Sequence, residues 1–216
     1  MLFRKNNKVT IRLENAELKG ELIIPLKAQS VVIFAHGSGS NYLSTRNQIV
    51  AKNLHQKNIG TLLINLLTEK EDLQYRNRFD IELLTKRLIR IVDWVEDEEN
   101  GKSLSIGLYG SSTGAAAAIR AAAQLPMIGA VVSRGGRPDL AVDKLEEVES
   151  PVLLIVGGLD YDVLKMNELA YQKLKCEKRI EILQGATHLF EEHGMIHKVA
   201  QLTSAWFENY LQPVIA

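Results

Sequence analysis

Residues 104–118 read LSIGLYGSSTGAAAA, and this stretch decides the fold. Its first part, Leu104–Tyr109, is a short apolar run of the kind that fills a strand buried on both faces. Gly110-Ser111-Ser112-Thr113-Gly114 follows as a tight turn, and Ala115–Ala118 opens a helix of small side chains. A sharp strand-to-helix turn crowds the backbone around its central residue, Ser112. Glycine at both outer positions removes the Cβ atoms that would clash there. The alanines let the helix lie close to the sheet. Ser112 then stands at a helix N-terminus, where free N–H groups and the dipole favour developing negative charge. Ser111 lies one residue too early for that geometry.

On either side of this unit the pattern repeats. Ser30–Ala35 (SVVIFA), Thr61–Ile64 (TLLI), Ile128–Ser133 (IGAVVS), Val152–Val156 (VLLIV) and Ile180–Leu183 (IEIL) are further short apolar runs. Between them lie amphipathic helices. In Asp80–Glu96, Ile81, Leu84, Leu88, Ile91 and Val95 recur at helical spacing with charges between them, and Val199, Leu202, Trp206 and Tyr210 do so in the last helix. Before Pro25 the pattern differs: Lys8–Leu13 alternates, and Leu18–Ile24 pairs with it as a β-hairpin. The expected architecture is α/β, a doubly wound and mostly parallel sheet with helices on both faces and an N-terminal antiparallel hairpin. Residues 1–216 read as a single domain, without repeat or linker.

Composition narrows the function classes. Lys+Arg and Asp+Glu balance at 26 each, which gives no electrostatic footprint for nucleic acid or an acidic membrane surface. The lone Cys176 rules out an internal disulfide and leaves a cysteine metal site short of ligands. MLFRKNNKV offers no apolar run for a signal peptide, and no stretch reaches the roughly 18 apolar residues of a spanning helix. Cytoplasmic is the expected location, and no metal or organic cofactor is expected.

Sites in such sheets lie beyond the carboxyl ends of the strands. A serine hydroxyl is a poor nucleophile unless a base takes its proton and a third group orients that base. Behind Val152–Val156 comes GGLDYDV, with Asp160 in the loop; behind the last run comes QGATHLF, with His188. The order serine, acid, histidine suits this architecture. Asp162 is a rival acid, read instead as the cap of a helix starting near Val163. His193 and His197 read as exposed, and His55 as a helix-surface residue.

Acyl transfer also needs N–H groups aimed at the carbonyl oxygen as it becomes an oxyanion. Thr113, after the nucleophile, supplies one. His36-Gly37-Ser38-Gly39-Ser40, after the first parallel run, supplies the other, with Ser38 the first choice and Gly37 the second. His36 reads as a residue that positions this loop. HGSGS lacks the lysine of a P-loop, so nucleotide binding is disfavoured. Ser133-Arg134-Gly135-Gly136-Arg137-Pro138-Asp139 also lies on this edge; Arg134 or Arg137 either receives a substrate carboxylate or ties down the loop, for instance through Asp139. Arg46, Arg76 and Arg78 are further cations near the early loops.

From about Ser30 to Leu211 the chain resembles the dienelactone-hydrolase-like branch of the α/β-hydrolase superfamily, on AHGSGS, GLYGSSTGAA, VVSRGGRPDL, LLIVGGLDYDV and GATHLFEE. The resemblance implies Ser112 as nucleophile, Asp160 as acid and His188 as base. Dienelactone hydrolases carry cysteine at the nucleophile position, so Ser112 is a departure and lactone specificity does not transfer. Only Arg134–Ser150 separates the fourth parallel run from the fifth, too short for a cap domain. The expectation is an α/β-hydrolase fold without a cap, cleaving small soluble esters, thioesters or lactones through an acyl-serine. An acyltransferase and a non-catalytic binding protein on the same fold remain alternatives. Oligomeric state is not legible.

Overall fold

The structure, a computed structural model, describes residues 2–98 and 104–211. Strands β1 (Phe3–Leu13) and β2 (Ala16–Pro25) form the entry hairpin, with Ile11 opposite Leu18 and a tight turn at Glu14–Asn15. Then come β3 (Ser30–Ala35), helix α1 (Thr45–Gln56), β4 (Gly60–Ile64), the single turn α2 (Glu69–Asp72) and α3 (Ile81–Glu98). The second half holds β5 (Ser105–Ser111), α4 (Thr113–Ala122), β6 (Ile128–Arg134), β7 (Val152–Gly157), α5 (Tyr161–Lys173), β8 (Lys178–Leu183) and α6 (Met195–Tyr210).

The strands make one eight-stranded sheet in the order β1-β2-β4-β3-β5-β6-β7-β8. β2 pairs antiparallel with both β1 and β4, and every later pairing is parallel. The six apolar runs therefore became the parallel strands, each within two residues of its expected ends. Among the described residues β8 pairs with β7 alone and forms one edge.

Two apolar layers hold the sheet. On one face Leu84, Leu88 and Ile91 of α3 and the alanines of α4 pack with Ile33, Leu108 and Val131. On the other, Val50 and Leu54 of α1 and Val199 and Phe207 of α6 pack with Phe34, Tyr109 and Val132. Each large aliphatic side chain so buried contributes roughly 1.5–3 kcal/mol relative to exposure. One charge of α3 departs from the expected polar face. Arg87 is buried because it donates to the Leu66 carbonyl and, bidentately, to Glu71.

The chain leaves β3 towards β4 on one side and later returns to place β5 on the other. The strand order therefore reverses at β3, and in open α/β sheets the site lies beyond the carboxyl ends of the strands at such a reversal. The segment between β6 and β7 contains only two short 3-10 turns, Pro138–Ala141 and Leu145–Glu147, and no cap domain.

Candidate active site

The turn after β5 is built on close backbone contacts. A Cβ on Gly110 would lie 2.3 Å from the Ala115 Cα, and one on Gly114 would lie 2.1 Å from the Ala35 carbonyl oxygen. Only glycine allows α4 to sit this tightly on β3 and β5. Ser112 consequently takes φ 50° and ψ −120°, a conformation that costs a side-chain-bearing residue about 1–3 kcal/mol. Neighbouring backbone holds it there: its N–H donates to the Arg134 carbonyl (3.3 Å), and its own carbonyl accepts from Ala115 and Arg137 (3.1 Å each).

Asp160 and His188 meet as the order of the runs predicts. His188 Nδ1 lies 2.6 Å from Asp160 Oδ2. Opposite a carboxylate Nδ1 carries the proton, which leaves Nε2 free to accept one. Asp160 occupies the N-cap position of α5, yet its side chain makes no capping bond and is given to the histidine instead. The expected role of Asp162 as cap is thus corrected: α5 begins at Tyr161, so Asp162 lies inside the first turn.

Bare backbone brings these loops together. A Cβ on Gly157 would lie 2.5 Å from the Ala186 carbonyl oxygen and 2.6 Å from that of Thr187. Gly135, at φ +51°, lies against His188; its virtual Cβ stands 3.5 Å from Cε1 and Nδ1 of the ring. Arg134, which accepts the Ser112 amide, immediately precedes it, so one short turn contacts both the serine and the histidine. Glu192 accepts from the Thr187 amide (3.0 Å) and hydroxyl and so fixes the histidine loop.

Facing the serine is the loop after β3. The backbone of Gly37 approaches so closely that a Cβ there would lie 3.0 Å from the Ser112 Cβ. His36 is buried, and its Nε2 accepts from the Leu66 N–H (3.1 Å). Nδ1 therefore carries the proton and donates to the Gly37 carbonyl (3.0 Å). Burial lowers the pKa of His36 from the ordinary histidine value, which keeps this neutral form. The Gly37 carbonyl and the Ser38 N–H belong to one peptide unit, so His36 sets the direction of the Ser38 amide. Two contacts here escaped the sequence reading. The Gly37 N–H donates to Ser111 Oγ and the Ser38 N–H to Thr113 Oγ1, at 3.1 Å each. The hydroxyls on either side of Ser112 hold the loop opposite it.

The remaining candidates fall elsewhere. Arg137 forms a bidentate pair with Asp139 (2.8 Å twice). Arg134 is buried, reaching the Tyr109 hydroxyl (3.3 Å) and Asn47 Oδ1 (3.4 Å) beside the Phe190 ring. Arg46 pairs with Glu191 and Arg78 with Asp72, while Arg76 bonds Gln74. His193 and His197 are exposed. His55, expected on a helix surface, is instead buried, with Nε2 2.8 Å from Thr61 Oγ1 and its pKa lowered by burial to about 4. The end of α1 turns inward against β4, which a helix wheel alone does not reveal. Among the described residues no group of acidic, histidine and cysteine side chains could hold a metal, and no helix is long and apolar enough to cross a membrane.

A family model described as an alpha/beta hydrolase domain matches residues 28–205. A dienelactone hydrolase from Anabaena variabilis, known from its crystal structure, is 48% identical and superposes with a TM-score of 0.92, covering 96% of this chain and 99% of that one. Est1E from Butyrivibrio proteoclasticus, 14% identical, has the same fold with a TM-score of 0.80 over 94% of this chain and 98% of its own. A Mycobacterium tuberculosis protein named as a phosphoribosyl transferase is 44% identical over 208 residues, 96% of this chain and 47% of its own length. The chain thus spans about half the length of the curated relatives it matches. The family match and the near-complete overlay on the Anabaena protein agree with the doubly wound sheet and its strained turn: the chain belongs to the α/β-hydrolase family, in its dienelactone-hydrolase-like branch.

Proposed function

We propose that this hydrolase cleaves small carboxylic esters, or thioesters and lactones, through an acyl-enzyme on Ser112. The observation that carries the reading is the 2.6 Å contact between His188 and Asp160, joined to the strained turn of Ser112 through the Arg134–Gly135 segment that touches both. In the reaction His188 Nε2 takes the hydroxyl proton as Ser112 Oγ bonds to the substrate carbonyl carbon. The carbonyl electrons move onto oxygen, and the amides of Thr113 and Ser38 hold the resulting oxyanion. Asp160 stabilises the imidazolium. Collapse breaks the ester bond, and the leaving alkoxide takes the proton from His188. Water, deprotonated by the same nitrogen, then releases the acid and restores the serine.

The lack of a cap between β6 and β7 supports small substrates over long acyl chains. Neither arginine near β6 offers an unengaged, exposed guanidinium, so a carboxylate on the substrate is not part of the proposal. A phosphoribosyl transferase reading has less support, since the matched relatives extend well beyond this chain. Ser112→Ala should abolish p-nitrophenyl acetate hydrolysis and fluorophosphonate labelling while circular dichroism stays unchanged. Full turnover in that variant overturns the reading. Folded wild-type protein that takes no label favours a non-catalytic binding protein.

A further inference from the structure

We propose that the Thr113 hydroxyl is a third donor to the oxyanion, one that holds the Ser38 amide in the resting site and turns its proton to the substrate oxygen during reaction. The inference rests on the hydrolase reading above.

The Ser38 N–H cannot serve two strong acceptors at once, and in the resting site it points to Thr113 Oγ1 at 3.1 Å. This hydroxyl is almost wholly buried, and among the described residues no protein group accepts its proton. An oxygen that accepts from the amides of Thr113 and Ser38 together must lie between them. Thr113 Oγ1 is three bonds from the first amide nitrogen and in hydrogen-bond contact with the second, so it borders that same position. A bordering oxygen that presented its lone pairs would repel the oxyanion. With its O–H turned inward it donates instead, as a hydroxyl can do by rotating about one bond. The exchange costs little, because the Ser38 amide is handed from a neutral acceptor to a charged one, and bonds to ionised acceptors are roughly twice as strong. Ser111 makes the parallel contact to Gly37 and lies outside the proposal, since its hydroxyl precedes the nucleophile and holds the Gly37 amide rather than the Ser38 amide assigned to the oxyanion.

The test compares Thr113→Val, which keeps the branched shape, with Thr113→Ser, which keeps the hydroxyl. On p-nitrophenyl acetate the valine variant should lose about 100-fold in kcat with KM within about threefold, and the serine variant should stay within about fivefold of wild type. A thionoester substrate separates loss of donors to the oxyanion from a general disturbance of the turn, because sulfur accepts hydrogen bonds poorly. Its turnover should fall less than about tenfold in the valine variant. Wild-type kcat in Thr113→Val, or equal losses on ester and thionoester, overturns the proposal. If the valine variant does not fold, Thr113→Cys carries the same comparison with a weak S–H donor and should fall between serine and valine. Failure of the hydrolase reading looks different: wild-type protein itself then shows neither turnover nor fluorophosphonate labelling.

Discussion

Replacing Asp160 by asparagine removes a charge without changing shape, and the structure sets how much that should matter. The His188–Asp160 contact is short, and the carboxylate side chain is 16% exposed against 38% for the imidazole. Two effects follow. The bond to the imidazolium changes from charge-assisted to neutral, a loss of about 2 kcal/mol. Asparagine can also present its amide protons to Nδ1, which moves the imidazole proton to Nε2 and removes the lone pair that Ser112 needs. Water reaches the half-exposed ring and partly offsets this second effect, leaving it at about 2 kcal/mol. Together these predict a fall of about 10³-fold in kcat/KM for Asp160→Asn. The assay is p-nitrophenyl acetate hydrolysis at pH 8, with Asp162→Asn as the control expected to stay near wild type. A loss under about tenfold in Asp160→Asn, or a larger loss in Asp162→Asn, refutes the assignment of the acid.

Gly157→Ala should displace the histidine loop, because the new Cβ would meet the Ala186 and Thr187 carbonyls at 2.5 and 2.6 Å. A stability loss of about 1–3 kcal/mol in urea unfolding, with a lower kcat, is expected. His55 gives a pH signature: its folded pKa of about 4 lies below the ordinary value of 6.5, so the unfolded chain binds more protons between these limits. The histidine's contribution is complete above pH 6.5 and is lost as pH falls towards 4. Melting temperature should drop across that window, and His55→Gln should drop less steeply.

The sheet was legible because parallel strands buried on both faces leave continuous apolar runs, and six such runs separated by helices allow few other arrangements. The strained turn at Ser112 and the meeting of Asp160 with His188 were legible because each residue follows a run, at the edge where this topology puts its loops together. Harder to see were the polar residues whose partners come from distant segments. His55 looked like a surface residue on its own helix, yet Thr61 on the next strand takes it in. Arg87 looked like one charge among many on α3, but Glu71 and the Leu66 carbonyl bury it. The Thr68-x-x-Glu71 capping box has a sequence signature, but no apolar run follows it to mark a helix. Thr113 was legible for its backbone N–H, but the hydroxyls of Ser111 and Thr113 carried no signal. Their link to Gly37 and Ser38 spans more than 70 positions and depends on β3 lying beside β5.

The position of β8 at the sheet edge gives the proposed machinery an uneven resistance to damage. Ser112 and the loop after β3 are anchored at the middle of the sheet, where unfolding must break pairings on both sides. His188 hangs from the outermost strand, which has one neighbour and fewer bonds to break. Edge segments open at lower free energy than the centre. Warming or mild denaturant therefore detaches the base while the nucleophile stays in place, so turnover fades before the core melts and returns on cooling.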